Sequence, residues 1–205
     1  MTQMGFYGQR VREFLHLEHE PPSLITRSLR NGEIAVTETL DDAPARRLSG
    51  GMGLEDAFLV SLKLNDYPGC ELSERGKFAT KADIRAGATY LYDMRRDPRF
   101  VIDKPFHSIH FYLPRSALDG IAKQCRASRV GEFDCRLGVG HDDAVVRHIG
   151  TSLLQSLRRP DEPTQLFIDC DAGNYGARCA DLRRNAAACR TGTRRPCPVV
   201  AQSRS

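Results

Sequence analysis

Apolar and polar positions alternate with a period of two along much of the first half of the chain, and with a helical period after about residue 114. The clearest strand is Glu55 to Leu64: Phe58, Val60, Leu62 and Leu64 fall on one face, Ala57, Leu59, Ser61 and Lys63 on the other, since alternate side chains of a strand point to opposite faces. Glu33 to Thr39 alternates in the same way, with shorter strands expected around Cys70–Leu72, Phe78–Thr80, Thr89–Asp93 and Phe100–Ile102. Phe106 to Leu113 adds a long one, with Phe106, Ser108, His110 and Tyr112 opposed to His107, Ile109, Phe111 and Leu113. A short helical pattern (Val11, Phe14, Leu15) precedes the strands and stops at Pro21-Pro22. The Pro-, Arg- and Gly-rich stretch from Asp41 to Gly53 reads as a loop. Many short strands punctuated by Gly, Pro and Asp turns predict an antiparallel sandwich or jelly-roll barrel.

Helical spacing then takes over. Pro114 opens a helix carrying Leu118, Ile121, Ala122 and Cys125, a position that tolerates proline. Asp142-Asp143 begin a second one, whose stripe is Val146, Ile149, Leu153 and Leu157 and whose end is Arg158-Arg159. Acidic residues at the start and basic ones at the end both favour the helix dipole. A third helix is expected to begin near Thr164. The expected fold is therefore mainly β with α: a barrel followed by two or three helices.

Composition divides the chain at residue 170. The segment from Cys170 to Ser205 holds seven arginines against two aspartates, whereas residues 1–169 are close to neutral, 23 Lys+Arg against 24 Asp+Glu. A neutral body gives little attraction to a polyanion. In the tail only Tyr175, Leu182, Val199 and Val200 are large and apolar, too few to offset the entropy of ordering. The domain expectation is 1–169 as one folded unit and 170–205 as a disordered or out-of-frame tail. No apolar run reaches membrane-spanning length and the first residues lack a signal-peptide pattern, so a cytoplasmic protein with no membrane partner is expected. The seven cysteines include no C-x-x-C pair, which disfavours a zinc framework, and disulfides are not expected without secretion.

GEIAVTE (32–38), EDAFLVSLKLNDYP (55–68), RAGATYLYDMRRDP (85–98), KPFHSIHFYLPRSALDGIA (104–122) and DDAVVRHIG (142–150) together resemble the sensor domain of AraC-type (AraC/XylS) bacterial transcription regulators. The resemblance covers about residues 8–169. It implies a cupin-like jelly-roll barrel that binds an effector, helices that pair two protomers, and a separate DNA-binding domain with two helix-turn-helix units. The chain departs from that pattern after Asp169, where a helix and linker would continue. It is thus expected to be truncated before the DNA-binding half and to form a homodimer without binding operator DNA specifically.

The candidate chemistry follows from the strand faces. Ser108, His110 and Tyr112, with Tyr90 and Tyr92 two strands earlier, are the expected ligand pocket, polar groups among apolar ones suiting a small organic effector; the bland alternative is that these side chains simply fill the barrel. The stripe Val146, Ile149, Leu153, Leu157 is the candidate dimer helix, with packing inside one chain as its alternative. His107 and His110 form H-x-x-H rather than the H-x-H of metal-dependent cupins, and odd separation sends the two rings to opposite faces. No metal, no cofactor and no catalytic residue is therefore expected. The serines occupy no G-x-S-x-G turn and Gly50–Gly53 lacks the Lys-Ser/Thr of a phosphate loop. The rival reading is a cupin-type metal-dependent enzyme, an oxygenase or isomerase.

Overall fold

The computed structural model describes residues 6–25, 33–51, 53–124, 131, 133 and 135–158. The expected third helix, the 169/170 boundary, the tail and Cys125 lie outside the described residues.

After a helix α1 (Gln9–Leu15), nine strands follow: β1 (Ser23–Ile25), β2 (Ala35–Asp41), β3 (Arg47–Leu48), β4 (Ala57–Lys63), β5 (Tyr67–Glu74), β6 (Lys77–Ile84), β7 (Thr89–Asp93), β8 (Arg99–Ile102) and β9 (Phe106–Pro114). Helices α2 (Arg115–Gln124) and α3 (Ala144–Leu157) complete the described chain. The strands form two sheets, β1-β2-β9-β4-β7 and β3-β8-β5-β6. Their pairing is nested: β5 with β6, β4 with β7, β3 with β8 and β2 with β9, all antiparallel. That is a long hairpin rolled up on itself, the jelly-roll topology. β1 and the two-residue β3 are differences from the expected pattern; β3 lies inside the stretch read as a loop, where two residues are too few to show a period.

The period of two makes the larger sheet a partition. Its outward residues, Ile34, Val36, Phe58, Val60, Leu62, Ile109, Phe111 and Leu113, are buried against Leu118 and Ile121 of α2 and Val146, Ile149, Leu153 and Leu157 of α3. Its inward residues, among them Ala35, Leu59, Tyr90, Tyr92, Phe106 and Tyr112, join Phe14 and Leu15 of α1 and the second sheet in a separate core. Interior space is thus shared between a helix-covered side and a barrel side, with β9 serving both.

Two devices seat α3. Asp143 caps its start, its carboxylate accepting from the Val145 and Val146 amides at 2.9 and 3.1 Å. Gly150 lets the helix lie close on the sheet, since a Cβ there would come within 2.5 Å of Leu62. At the far end Arg158 donates to Glu38 at 2.8 Å, and His107 meets the same carboxylate at 2.9 Å. The segment before α3 lies along the barrel edge, where Thr89 and His141 exchange backbone hydrogen bonds of 2.9 and 2.8 Å. Gly138 there has φ +75° and sits against Ala82 and Leu72.

Candidate functional site

The inward face of the larger sheet carries polar side chains in register. Across β1, β2, β9, β4 and β7 run Ser23, Thr37, His110, Ser61 and Tyr90, each directly opposite the next. One step along, Thr39, Ser108 and Lys63 form a second row. Thr37, Thr39, Ser61, Ser108 and His110 are all buried. Residues directly opposite on one face are near enough to interact, so the rows form a polar floor under an otherwise apolar interior.

A cavity of about 50 Å³ opens on this floor, lined by Lys63, Asn65, Tyr67, Cys70, Ser108 and His110 on its polar side and by Leu15, Ile84, Tyr92, Phe100, Ile102 and Phe106 on its apolar side. Each water takes roughly 10–15 Å³ of such space, so the cavity of about 50 Å³ has room for about three to five non-hydrogen atoms. Its walls are fixed. Tyr92 and Phe100 meet edge to face at 5.2 Å. The Tyr67 hydroxyl is 2.9 Å from Asp103 Oδ1 and accepts from the Asp103 amide at 2.8 Å. Asn65 accepts from the His107 amide at 2.7 Å and donates to the Pro105 carbonyl at 3.0 Å.

Electrostatics follows from burial. His110 Nε2 lies 3.0 Å from Thr39 Oγ1, while its Nδ1 has no hydrogen-bond partner among the described residues. Burial pushes its pKa well below the ordinary histidine value, so the ring is neutral. Burial raises the Cys70 thiol to about 11 and the Tyr67 hydroxyl to about 12. Lys63 Nζ donates to Ser108 Oγ at 3.2 Å, and burial lowers its pKa to about 8.

Of the five expected pocket residues, Ser108, His110 and Tyr92 line the cavity. Tyr90 and Tyr112 share their face but are engaged elsewhere. Tyr90's hydroxyl accepts from the Arg85 amide at 3.0 Å. Tyr112's hydroxyl donates to buried Glu55 at 2.8 Å, and Glu55 pairs with Arg10 of α1. The two histidines do point apart, His107 outward to Glu38 and His110 inward to the cavity. The stripe Val146, Ile149, Leu153 and Leu157 is correctly placed on one face, but all four are buried inside this chain's own core. Packed within this chain against the outward face of the larger sheet, they are not exposed for a second copy. Lys63, Asn65, Tyr67 and Cys70 are polar cavity residues that the strand faces alone did not single out.

The cavity's donors do not suit a metal ion of the kind cupin folds hold. No carboxylate lines it, its thiol is protonated at neutral pH, and its single imidazole is bonded to Thr39. Among the described residues no three His, Cys, Asp or Glu side chains stand close enough to share an ion.

No family model matches the chain, and no curated protein matches its sequence. Solved structures do. They include a cupin domain from Bordetella pertussis Tohama I, 16% identical over 45% of this chain and 94% of that one, with a TM-score of 0.33. A cupin 2 conserved barrel domain protein from Salinispora arenicola CNS-205 is 16% identical over 50% of this chain and 82% of its own, TM-score 0.33. KdgF from Halomonas sp. is 13% identical over 45% and 77%, TM-score 0.31. Likenesses this distant carry nothing about chemistry. The nested pairing itself defines the class, a mainly-β, cupin-like barrel with helices packed on its outside. No helix among the described residues is long and apolar enough to cross a membrane.

Proposed function

We propose that residues 1–169 are the effector-binding and self-associating unit of an AraC-type transcription regulator, acting in the cytoplasm as a homodimer and without enzymatic activity. The observation that carries this reading is the double use of β9. Ser108 and His110 face the cavity, while Ile109 and Phe111, the residues between and beside them, are buried against the helices. A small molecule on the inner face therefore bears on the same strand that seats α2 and α3. A ligand shifts such a switch only by binding one state better than the other, and a shared strand supplies a place for that difference. Specific operator contact is assigned to a helix-turn-helix domain of the kind that accompanies such sensors, not to this barrel.

The test is a metabolite screen by thermal shift, followed by sedimentation of the purified chain with and without each hit. The proposal expects an organic ligand that raises Tm, as any ligand selective for the folded state does, and that changes the monomer–dimer balance. Stoichiometric iron, manganese or zinc together with turnover of a substrate would overturn it in favour of a cupin enzyme.

A further inference from the structure

Taking the cavity as the effector site, we propose that its ligand is a small monocarboxylate whose carboxylate is held by the Lys63 ammonium and the Ser108 hydroxyl. A lysine is an unusual lining for a small, mostly apolar cavity, because a buried charge costs free energy unless it is paired. Asp103, which sits beside the cavity, bonds Lys104 and Tyr67 instead. Among the described residues no carboxylate lies within ion-pair distance of Lys63, whose side chain makes one hydrogen bond, to Ser108. An ammonium has three donors, so two remain for a ligand. Ser108 accepts from Lys63, which leaves its own hydrogen to donate. Together these groups match the two oxygens of one carboxylate, and charge-assisted bonds of this kind are the strong ones.

A second observation points the same way. His110, nine-tenths buried on the cavity wall, keeps Nδ1 without a partner, and an orphaned buried polar atom marks a place left for something to enter. The remaining lining sets the size and character of the rest of the ligand. Tyr92, Phe100, Ile102 and Phe106 are apolar neighbours for a short carbon chain, and about 50 Å³ admits a ligand of a few non-hydrogen atoms. A phosphate or sulfate ester would bring more oxygens than the two donors serve, into walls that offer no further cation.

The experiment is calorimetric titration of the full chain with propionate and with propionamide, its uncharged counterpart of nearly the same shape. Propionate is expected to bind, and propionamide to bind about 10- to 100-fold more weakly, the worth of a hydrogen bond to a charged group. Lys63→Met should weaken propionate by about that factor and propionamide by less, so that the preference for the charged ligand is lost.

Affinity should also fall about tenfold per pH unit once pH exceeds about 8, as the Lys63 ammonium loses its proton. The other groups facing it do not titrate there. Cys70 and Tyr67 on β5 titrate near 11 and 12, Tyr92 on β7 lies higher still than an ordinary tyrosine, and His110 on β9 is already neutral. Equal binding of propionate and propionamide, affinity that is flat from neutral to about pH 10, or no binding of propionate would each overturn the proposal. The first comparison uses the unaltered chain, so it stands even if the variant fails to fold. A neutral metabolite that binds where propionate does not would refute the carboxylate and still leave the effector site in place.

Discussion

Replacing Leu153 by alanine tests whether the stripe of α3 belongs to the core of one chain or to a contact between two. Leu153 is 1% exposed and lies among Val36, Phe58, Leu62, Ile109 and Phe111 of the sheet and Ile121 of α2. Truncating a fully buried leucine removes about 1.5–3 kcal/mol of transfer free energy. A cavity term adds to this wherever the surroundings cannot collapse, bringing the usual total to about 2–5 kcal/mol. Collapse is resisted here, because the sheet beneath is hydrogen-bonded on both sides of β4 and β9 and the helix is pinned by Asp143 and Arg158. About 3 kcal/mol is therefore expected, or a Tm lower by about 6–12 °C for a domain of this size. The assay is thermal unfolding by circular dichroism at several protein concentrations, with Val145→Ala, 40% exposed on the same helix, as a control expected to stay within about 0.5 kcal/mol. The loss should be independent of concentration. A change below about 1 kcal/mol, or one that appears as dissociation of a dimer with monomer stability intact, would refute the intramolecular assignment.

Asp143→Ala should lower stability by about 1 kcal/mol, the usual worth of an N-cap, with α3 fraying first by hydrogen exchange; unchanged protection of the Val145 and Val146 amides would count against it. Gly138→Ala meets two obstacles, φ of +75° and a new Cβ 2.7 Å from that of Ala82, so it should cost more than about 1 kcal/mol, whereas Gly76→Ala, with φ of +73° but open space around it, should cost less; equal losses would show that space is not the issue. Glu38 gives a pH signature: burial pushes its pKa up, but the bonds from Arg158 and His107 outweigh burial and hold it below the ordinary 4.5. A depressed carboxylate contributes stability above its unfolded pKa and loses it as pH falls through the folded one. The gap in Tm between the natural chain and Glu38→Gln should therefore be full above 4.5 and close below it; a gap constant with pH would sink this account.

Periodicity was enough to read the strands that face two different surroundings. On β4 and β9 the alternation separates residues of the inner core from those under the helices, and β7 begins and ends where the pattern does, at Thr89 and Asp93. β1 and β3 escaped because two or three residues carry no period, and their place in the sheets comes from partners far along the chain, Thr37 and Ile102 among them. In the site, Ser108, His110 and Tyr92 were legible as polar or amphipathic groups on one strand face. Lys63 was not, although it was placed on the same face as Leu59 and Ser61. A lysine near the end of a strand defaults to solvent, and only register puts this one opposite Ser108. Which face is interior was likewise settled by the helices, which cover the other one. The stripe of α3 shows the complementary limit: helical spacing finds an apolar face, and cannot say whether the chain's own sheet or another copy covers it.

The two proposals meet on β9, and the energetics of that meeting can be bounded. Coupling between an effector site and a distant interface is commonly about 1–3 kcal/mol, comparable to the worth of one hydrogen bond to a charged group. Lys63 and Ser108 sit on adjacent strands, directly opposite each other, and Leu62 and Ile109, their neighbours in sequence, are directly opposite on the other face. Leu62 is the residue a Cβ at Gly150 would strike, and Ile109 is next in contact with the same position. A carboxylate drawn between Lys63 and Ser108 therefore acts on a pair of strands whose other face receives α3 at Gly150. Because packed interiors yield in discrete steps rather than continuously, a small change in the separation of these strands would be paid in the Leu62–Gly150 contact. A larger residue at position 150 should accordingly alter effector affinity and helix seating together, whereas a site unconnected to α3 would lose only stability.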